Sequence, residues 1–225
     1  MKALLLVGSP RGEHSTSNVI GSYLMERLEA NGTPTERIML GGTVRSAEGP
    51  AKLLAAVDGA DLLVLAFPLY IDSLPAGTTK ALELIFERRK AVPKRQRLAV
   101  IVNSGFPDPS HNLMAVEICR KFAADAGMEW MGSVRVSMGG AVYGKSLKEA
   151  GGMVRNLTSA LDEAAVLLAG GKPLTPEIEA RASKPFMPLF MCKLMMTKAG
   201  GLMLWHPLAK ANGVRKQMWN RPYQQ

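Results

Sequence analysis

The feature that most constrains the fold of this chain is a repeated alternation of short apolar runs with segments of helical spacing. Three of the runs are unalternated and rich in leucine and valine, at Leu4–Val7, Leu62–Phe67 and Leu98–Val102. Runs of this kind are typical of parallel strands that helices cover on both faces. Two further strands are predicted at Thr35–Leu40 and Trp130–Met138.

Segments with helical spacing lie between the strands, and they are predicted at Val19–Ala30, Ala76–Ala91, Asn112–Ala126 and Leu147–Ala169. The strand–helix order continues over about 170 residues. An order of this kind requires a parallel sheet with right-handed crossovers. The sequence therefore predicts an α/β fold with a doubly wound five-stranded parallel sheet. Five strands match the flavodoxin-like arrangement better than the longer dinucleotide-binding one.

The alternation of strands and helices ends near residue 170, and two regions are predicted: a domain over 1–170 and an extension over 171–225. Six prolines cut the second region into short pieces, which predicts a mostly helical, methionine-rich extension. Its piece Leu189–Trp205 is apolar nearly all the way round, whereas a surface helix shows a one-sided stripe. We expect this piece to pack against other groups on several sides.

The formal net charge of +9 is divided unevenly between these two regions. Residues 1–170 hold 19 Lys and Arg against 17 Asp and Glu, whereas residues 171–225 hold 9 against 2. The excess charge therefore belongs to the extension and says little about the chemistry of the domain.

The two cysteines, Cys119 and Cys192, are far apart and form no paired motif. This argues against an iron–sulfur cluster, a zinc ribbon or a dithiol centre, and it fits a reducing cytoplasm. The apolar run Leu4–Val7 is too short for a signal peptide, so we expect a cytoplasmic protein. The three histidines are scattered, so the sequence predicts neither a metal site nor a catalytic side chain.

The strongest motif is the segment Gly8–Asn18, which follows the first strand and opens the first helix. It is dense in hydroxyl groups and contains Arg11. A helix start with free N–H groups and a cation is suited to a phosphate monoester. The alternative is an ordinary capped helix start, because Ser15 and Ser17 are both common N-cap residues. That alternative explains one or two serines but not the whole cluster.

Three further loops follow strand ends, at Pro68–Ala76, Asn103–Pro107 and Gly139–Gly144. In a doubly wound sheet these loops converge on one edge with the phosphate-type loop. Tyr70 and Phe106 are available to stack on a flat heteroaromatic ring, although either side chain could instead pack against a helix. The glycines of the last loop indicate a tight turn or a close approach to a ligand.

Together these motifs resemble the flavodoxin-like NAD(P)H-dependent FMN reductase family over residues 1–170. The resemblance implies FMN as cofactor and NAD(P)H as co-substrate. It places the phosphate and the isoalloxazine ring on two sets of residues: Ser9, Arg11, Ser15, Thr16, Ser17 and Asn18 for the phosphate, and Pro68, Leu69, Tyr70, Ile71, Asn103, Ser104, Gly105 and Phe106 for the ring.

The resemblance also implies the reaction: a hydride passes from NAD(P)H to bound flavin, and the electrons pass on to a second acceptor such as a quinone or free flavin. The alternative function is a flavodoxin-type electron carrier without a nicotinamide site. Such carriers tend to be strongly acidic, whereas this domain is near neutral, which favours the enzyme. A flavodoxin-like module that has lost its flavin is a third possibility.

Three functions compete for the basic extension. The first is subunit assembly, because reductases of this fold are often dimers and methionine-rich apolar pieces suit such burial. The second is peripheral attachment to an anionic membrane, because cations are mixed with Trp205, Trp219, Phe186 and Phe190. Nucleic-acid binding ranks last of the three, since only charge supports it. A further alternative, close behind assembly, is a tail that wraps on its own domain and leaves its lysines solvated.

Overall fold

The computed structural model describes residues 1–142, 145–195, 197–221 and 223. Its contacts divide the chain into two compact units, Met1–Phe186 and Met187–Gln225. This division falls later than the boundary predicted between residues 170 and 171.

The first unit is built on one five-stranded sheet. Its strands are β1 Ala3–Val7, β2 Thr35–Met39, β3 Leu62–Pro68, β4 Arg97–Asn103 and β5 Glu129–Val136. All neighbouring strands are parallel, and their order is β2-β1-β3-β4-β5. This is the flavodoxin-like arrangement that the sequence predicts, in which the strand order, and not the strand direction, reverses between β1 and β3.

Helices connect and extend these strands. In the described part of the chain they are α1 Thr16–Ala30, α2 Leu40–Thr43, α3 Gly49–Gly59, α4 Ala76–Ala91, α5 Leu113–Asp125, α6 Leu147–Ala150, α7 Arg155–Ala169, α8 Pro176–Ala182, α9 Leu189–Met195 and α10 Lys198–Ala211.

The core lies on both faces of the sheet, which explains the unalternated strands. In β1, Leu5 and Val7 pack in one cluster with residues of α1 and α7, whereas Leu4 and Leu6 pack in the other with residues of α3, α4 and α5. Each of these four side chains is fully buried. A strand covered on both sides has no solvent face, so its sequence does not alternate.

Two helices differ from the sequence expectation. The helix predicted over Leu147–Ala169 is broken into α6, a 3-10 turn and α7, and the break falls at Gly151, whose φ is +59°. A left-handed residue cannot continue a helix, and glycine adopts this conformation at least cost. Helix α3, between β2 and β3, was not delimited from the sequence; it begins at Gly49-Pro50, with proline in its first turn.

Helix α8 belongs to the first unit, although the extension was predicted to begin before it. The N–H of Leu174 donates to Met131 O at 2.8 Å, and the N–H of Ser133 donates to the Glu179 carboxylate at 2.6 Å. These bonds attach the segment leading into α8, and α8 itself, to β5. Residues up to Phe186 are therefore part of the sheet domain.

The second unit contains α9 and α10, which pack on each other. None of the helices in the described residues is long and apolar enough to cross a membrane. The predicted helical character of the extension is thus present, but as short separate helices.

Candidate functional site

The first part of the site is the connection from β1 to α1. Gly8 N donates to Ala66 O at 2.8 Å, and the hydroxyl of Thr78 in α4 donates to Gly8 O at 3.1 Å. A Cβ at Gly8 would lie 2.1 Å from the Thr78 hydroxyl oxygen. Glycine is required here because the chain leaves β1 in direct contact with α4.

Ser15 caps helix α1. Its hydroxyl oxygen accepts from Asn18 N at 3.2 Å, and its hydroxyl donates to Gly12 O at 2.7 Å. The first turn of a helix leaves N–H groups without intrahelical acceptors, and those of Thr16 and Ser17 are of this kind. The helix start therefore presents main-chain donors and the positive end of its dipole to an anion.

The side chains of Thr16 and Ser17 join the first loop to its neighbours. The Thr16 hydroxyl donates to Gly139 O at 2.9 Å, and the Ser17 hydroxyl donates to Asn103 Oδ1 at 2.6 Å. Both bonds are buried and connect residues far apart in sequence. They bring the loops after β1, β4 and β5 together at the carboxyl edge of the sheet.

Asn18 and Arg37 form a polar network behind the first loop. The Asn18 amide donates to Glu13 O at 2.8 Å, and Arg37 Nη1 donates to Asn18 Oδ1 at 3.0 Å. Arg37 Nη2 also lies 3.7 Å from the Glu13 carboxylate. Sequence reasoning missed Arg37; the available signal was a cation inside the strand predicted next to β1.

The second loop, after β3, turns sharply at Ile71-Asp72. Tyr70 and Ser73 exchange backbone hydrogen bonds of 2.9 and 3.1 Å, and the two residues between them have φ values of +49° and +57°. Two consecutive left-handed residues define a type I′ turn. The turn leaves Ile71 98% exposed and Tyr70 46% exposed, so the loop presents apolar side chains to solvent.

The third loop, after β4, is attached on both sides. Asn103 O accepts from Leu69 N at 2.8 Å, and Ser104 N donates to Val136 O at 2.9 Å. The ring of Phe106 lies 4.6 Å from that of His111 and is 55% exposed. The buried Ser104 hydroxyl makes no hydrogen bond within the described residues, which leaves one polar group uncommitted beside the loops.

The end of this loop carries a carboxylate, that of Asp108, which caps a short 3-10 turn. Asp108 accepts a hydrogen bond of 2.8 Å from Ser110 N. That bond holds the pKa of the Asp108 carboxyl below its ordinary value. Asp108 therefore caps the short 3-10 turn that begins at Pro109.

The loop after β5 begins as a 3-10 turn at Gly139–Val142, and Gly139 is buried. A Cβ at Gly139 would lie within 3.2 to 3.3 Å of Asn103, Ser104 and Thr16 atoms. Glycine thus serves a close approach between protein loops. The remaining predicted residues of this loop, Tyr143 and Gly144, lie outside the described residues.

The predicted site residues fall into a buried and an exposed group along one edge of the sheet. The buried group is Ser9, Ser15, Thr16, Ser17, Asn18, Asn103 and Ser104, and the exposed group is Arg11, Tyr70, Ile71, Gly105 and Phe106, with Pro68 and Leu69 half-buried between them. His14 is also exposed. A helix start with main-chain donors therefore lies beside an open apolar rim, at the point where the strand order reverses.

A family model for NADPH-dependent FMN reductases matches residues 1–142 of the chain. The chain belongs to this family, and it is an FMN-dependent flavoprotein oxidoreductase with NAD(P)H as co-substrate. No curated protein matches the sequence.

Solved structures of low sequence identity share the fold. An FMN-dependent NADH-azoreductase from Bacillus anthracis, solved with FMN, has 17% identity and a TM-score of 0.55 over 75% of this chain and 100% of that one. An NADH:FMN oxidoreductase in its apo form has 19% identity and a TM-score of 0.58 over 79% and 93%. A flavodoxin from Streptococcus pneumoniae has 16% identity and a TM-score of 0.53 over 76% and 99%.

Proposed function

We propose that this protein takes a hydride from NAD(P)H onto bound FMN and passes the electrons to a second small-molecule acceptor, such as a quinone or a flavin. One observation carries the proposal: a donor-rich helix start lies at the same sheet edge as exposed apolar side chains. The first feature suits the anionic end of FMN, and the second leaves a planar substrate access to its ring.

The phosphate of FMN fits the start of α1. We assign its binding to the Ser9 hydroxyl, Arg11 and the main-chain N–H groups of Thr16 and Ser17. Ser15 and Asn18 act differently from the simplest expectation, because their side chains are already bonded within the loop. They shape the cradle rather than contact the phosphate through their side chains.

The isoalloxazine ring is assigned to the loops Pro68–Ile71 and Asn103–Phe106. The bond from Leu69 N to Asn103 O sets their spacing, and the rigid turn at Ile71-Asp72 holds one wall of the site. FMN, when bound, supplies the redox chemistry, and the chain supplies position and electrostatics. We assign no side chain of this site as a catalytic acid or base.

The first experiment measures whether the purified protein binds FMN and whether NADH or NADPH bleaches the bound flavin under anaerobic conditions. We expect a yellow protein that at least one nicotinamide bleaches and that quinone reoxidises. A protein to which FMN does not bind contradicts the proposal. A yellow protein that neither nicotinamide bleaches is an electron carrier instead.

The second experiment tests the residues. Replacing Arg11 and Ser15 together by alanine removes a cation and the cap that orders the donors, so we expect the Kd for FMN to rise by about a hundredfold or more. Arg120→Ala on α5, an exposed arginine away from the site, is the matched control and should leave the Kd unchanged. An unaltered Kd in the double variant removes the assignment of this loop.

A further inference from the structure

The second unit, Met187–Gln225, leaves several large apolar side chains mostly exposed. Trp219 is 72% exposed, Phe190 70%, Leu194 65% and Trp205 63%. Isolated apolar residues on a surface are ordinary, but a group of aromatic and aliphatic side chains in one short unit marks an interaction surface.

The two tryptophans of this group, Trp205 and Trp219, line one cleft. The cleft lies between the second half of α10 and residues 214–219, and its volume is about 470 Å³. Its walls are almost wholly apolar, formed by Trp205, Leu208, Ala209, Val214, Met218 and Trp219, with Asn212 as the polar exception. We call this set the tryptophan cleft.

Along the sequence, cations flank the residues that line the tryptophan cleft, and no acidic residue lies among them. Residues 187–225 contain six Lys and Arg and no Asp or Glu. Lys210, Arg215 and Lys216 follow or lie between lining residues, and all three are exposed. An apolar surface beside charges of a single sign restricts the partners that the unit can accept.

The charge decides between partners. A second copy of this unit would bring six like charges and no carboxylate to pair with them, so self-association through this face is opposed by repulsion. A nucleic-acid duplex satisfies the cations but keeps its bases stacked inside, so it offers phosphates, not an apolar phase, to the exposed tryptophans. An anionic bilayer surface satisfies both, because headgroups take the cations and the interface takes tryptophan rings.

We propose that the unit Met187–Gln225 docks the protein on an anionic lipid bilayer, with the tryptophan cleft at the boundary between headgroups and acyl chains. Lys210, Arg215 and Lys216 lie over the anionic headgroups. The unit lies on the membrane and does not cross it, in keeping with the shortness of α9 and α10. This inference does not rest on the flavin site.

The test is flotation of the full-length protein with vesicles of phosphatidylcholine, with or without one third phosphatidylglycerol. We expect binding at least about tenfold tighter to the anionic vesicles, weakening steeply as salt is raised. Equal binding to both vesicles, or no binding to the anionic ones at low salt, overturns the proposal.

Two sets of variants locate the surface. Trp205→Ser with Trp219→Ser should weaken binding about tenfold or more, because the apolar contact is lost. Arg215→Gln with Lys216→Gln should weaken it about 25-fold, at roughly fivefold for each cation. The matched control is Arg120→Gln with Lys121→Gln, another adjacent and exposed pair, which should bind like the wild type. If the control variant loses as much vesicle binding as Arg215→Gln with Lys216→Gln, the assigned surface is overturned.

A second measurement keeps the proposal testable if the tryptophan variant does not fold. Brominated acyl chains should quench part of the tryptophan emission of the wild-type protein, and unquenched emission on bound vesicles overturns the assigned depth. Light scattering of the same samples measures assembly. The wild type could self-associate without binding vesicles, and Trp205→Ser with Trp219→Ser could abolish that self-association. This pair of results would assign the cleft to a second copy and overturn the lipid proposal.

Discussion

The two units of this chain differ in how they use their apolar side chains and charges. In the first, Met1–Phe186, apolar strand residues are buried on both faces of the sheet, and 22 cations face 19 carboxylates. In the second, six cations face no carboxylate, and tryptophans remain exposed. The first unit buries most of its large apolar side chains in its core, whereas the second leaves several of them exposed.

Because of this difference, mutations in the two units should change different properties of the protein. Many polar groups of the first unit pair with each other, as Asp58 and Ser17 do, so their removal should cost folding free energy. Several large apolar side chains of the second unit are exposed, so their removal should affect association instead.

The largest effect is expected at Asp58 in α3. Its carboxylate pairs with Arg88 and with Arg89 of α4, and the Arg89 side chain is only 2% exposed. Asp58→Ala leaves a buried guanidinium without its partner, so we expect unfolding to become easier by about 3 kcal/mol. Urea unfolding measures this. Glu87→Ala, which breaks the exposed pair with Lys90, should change it by about 0.5 kcal/mol or less, and equal effects would contradict the contrast.

The same carboxylate should give the first unit a pH dependence. The hydrogen bond from Arg88, with a further one from Arg89, holds the pKa of Asp58 below its ordinary value. A depressed pKa means that this stabilisation is present above the ordinary value and is lost as pH falls through the folded one. We expect wild type and Asp58→Asn to differ at neutral pH and to converge below about pH 4. A constant difference across that range excludes the carboxylate as the cause.

A smaller effect is expected at Ser17, whose hydroxyl bonds to Asn103 Oδ1. Ser17→Ala leaves the buried amide oxygen unpaired, at a cost of about 1–2 kcal/mol, and loosens the two loops assigned to FMN. Thermal unfolding and the Kd for FMN should therefore both change. Ser159→Ala, at a half-buried serine on α7 that accepts from Arg181, is the control and should leave the FMN affinity alone.

The smallest effect is expected for Trp205→Ser with Trp219→Ser, which should change the free energy of unfolding by less than about 0.5 kcal/mol. Both side chains are already more than half exposed, so little buried area is lost. Denaturant unfolding followed by circular dichroism is the measurement. A large loss of stability would mean that the second unit, like the first, uses these residues internally.

Much of the fold was predictable because its signals are local. The unalternated runs such as Leu4–Val7 report burial on both faces, and the predicted five-stranded parallel sheet of flavodoxin-like type is confirmed. The break at Gly151 was not predictable, because glycine occurs within helices and only its left-handed φ ends this one. The domain boundary depends on contacts of Glu179 with β5, which no local pattern announces.

The site was predictable as a set of loops but not in its internal contacts. The hydroxyl-rich segment after β1 identified the loop, since residue type and position suffice for that. Which hydroxyls face a ligand depends on partners distant in sequence. Thr16 and Ser17 bond to Gly139 and Asn103, and Arg37 reaches Asn18 from the neighbouring strand. Those pairings require the assembled sheet.

The attachment of α8 to β5 also bears on how copies of this protein can associate. Strand β5 stands at one edge of the sheet, where unpaired N–H and C=O groups invite a strand from another molecule. Leu174 N–H and the Glu179 carboxylate already occupy Met131 O and Ser133 N–H along that edge. The chain thus closes its own sheet against strand addition there, which disfavours a continuous intermolecular sheet and the aggregation that begins with one.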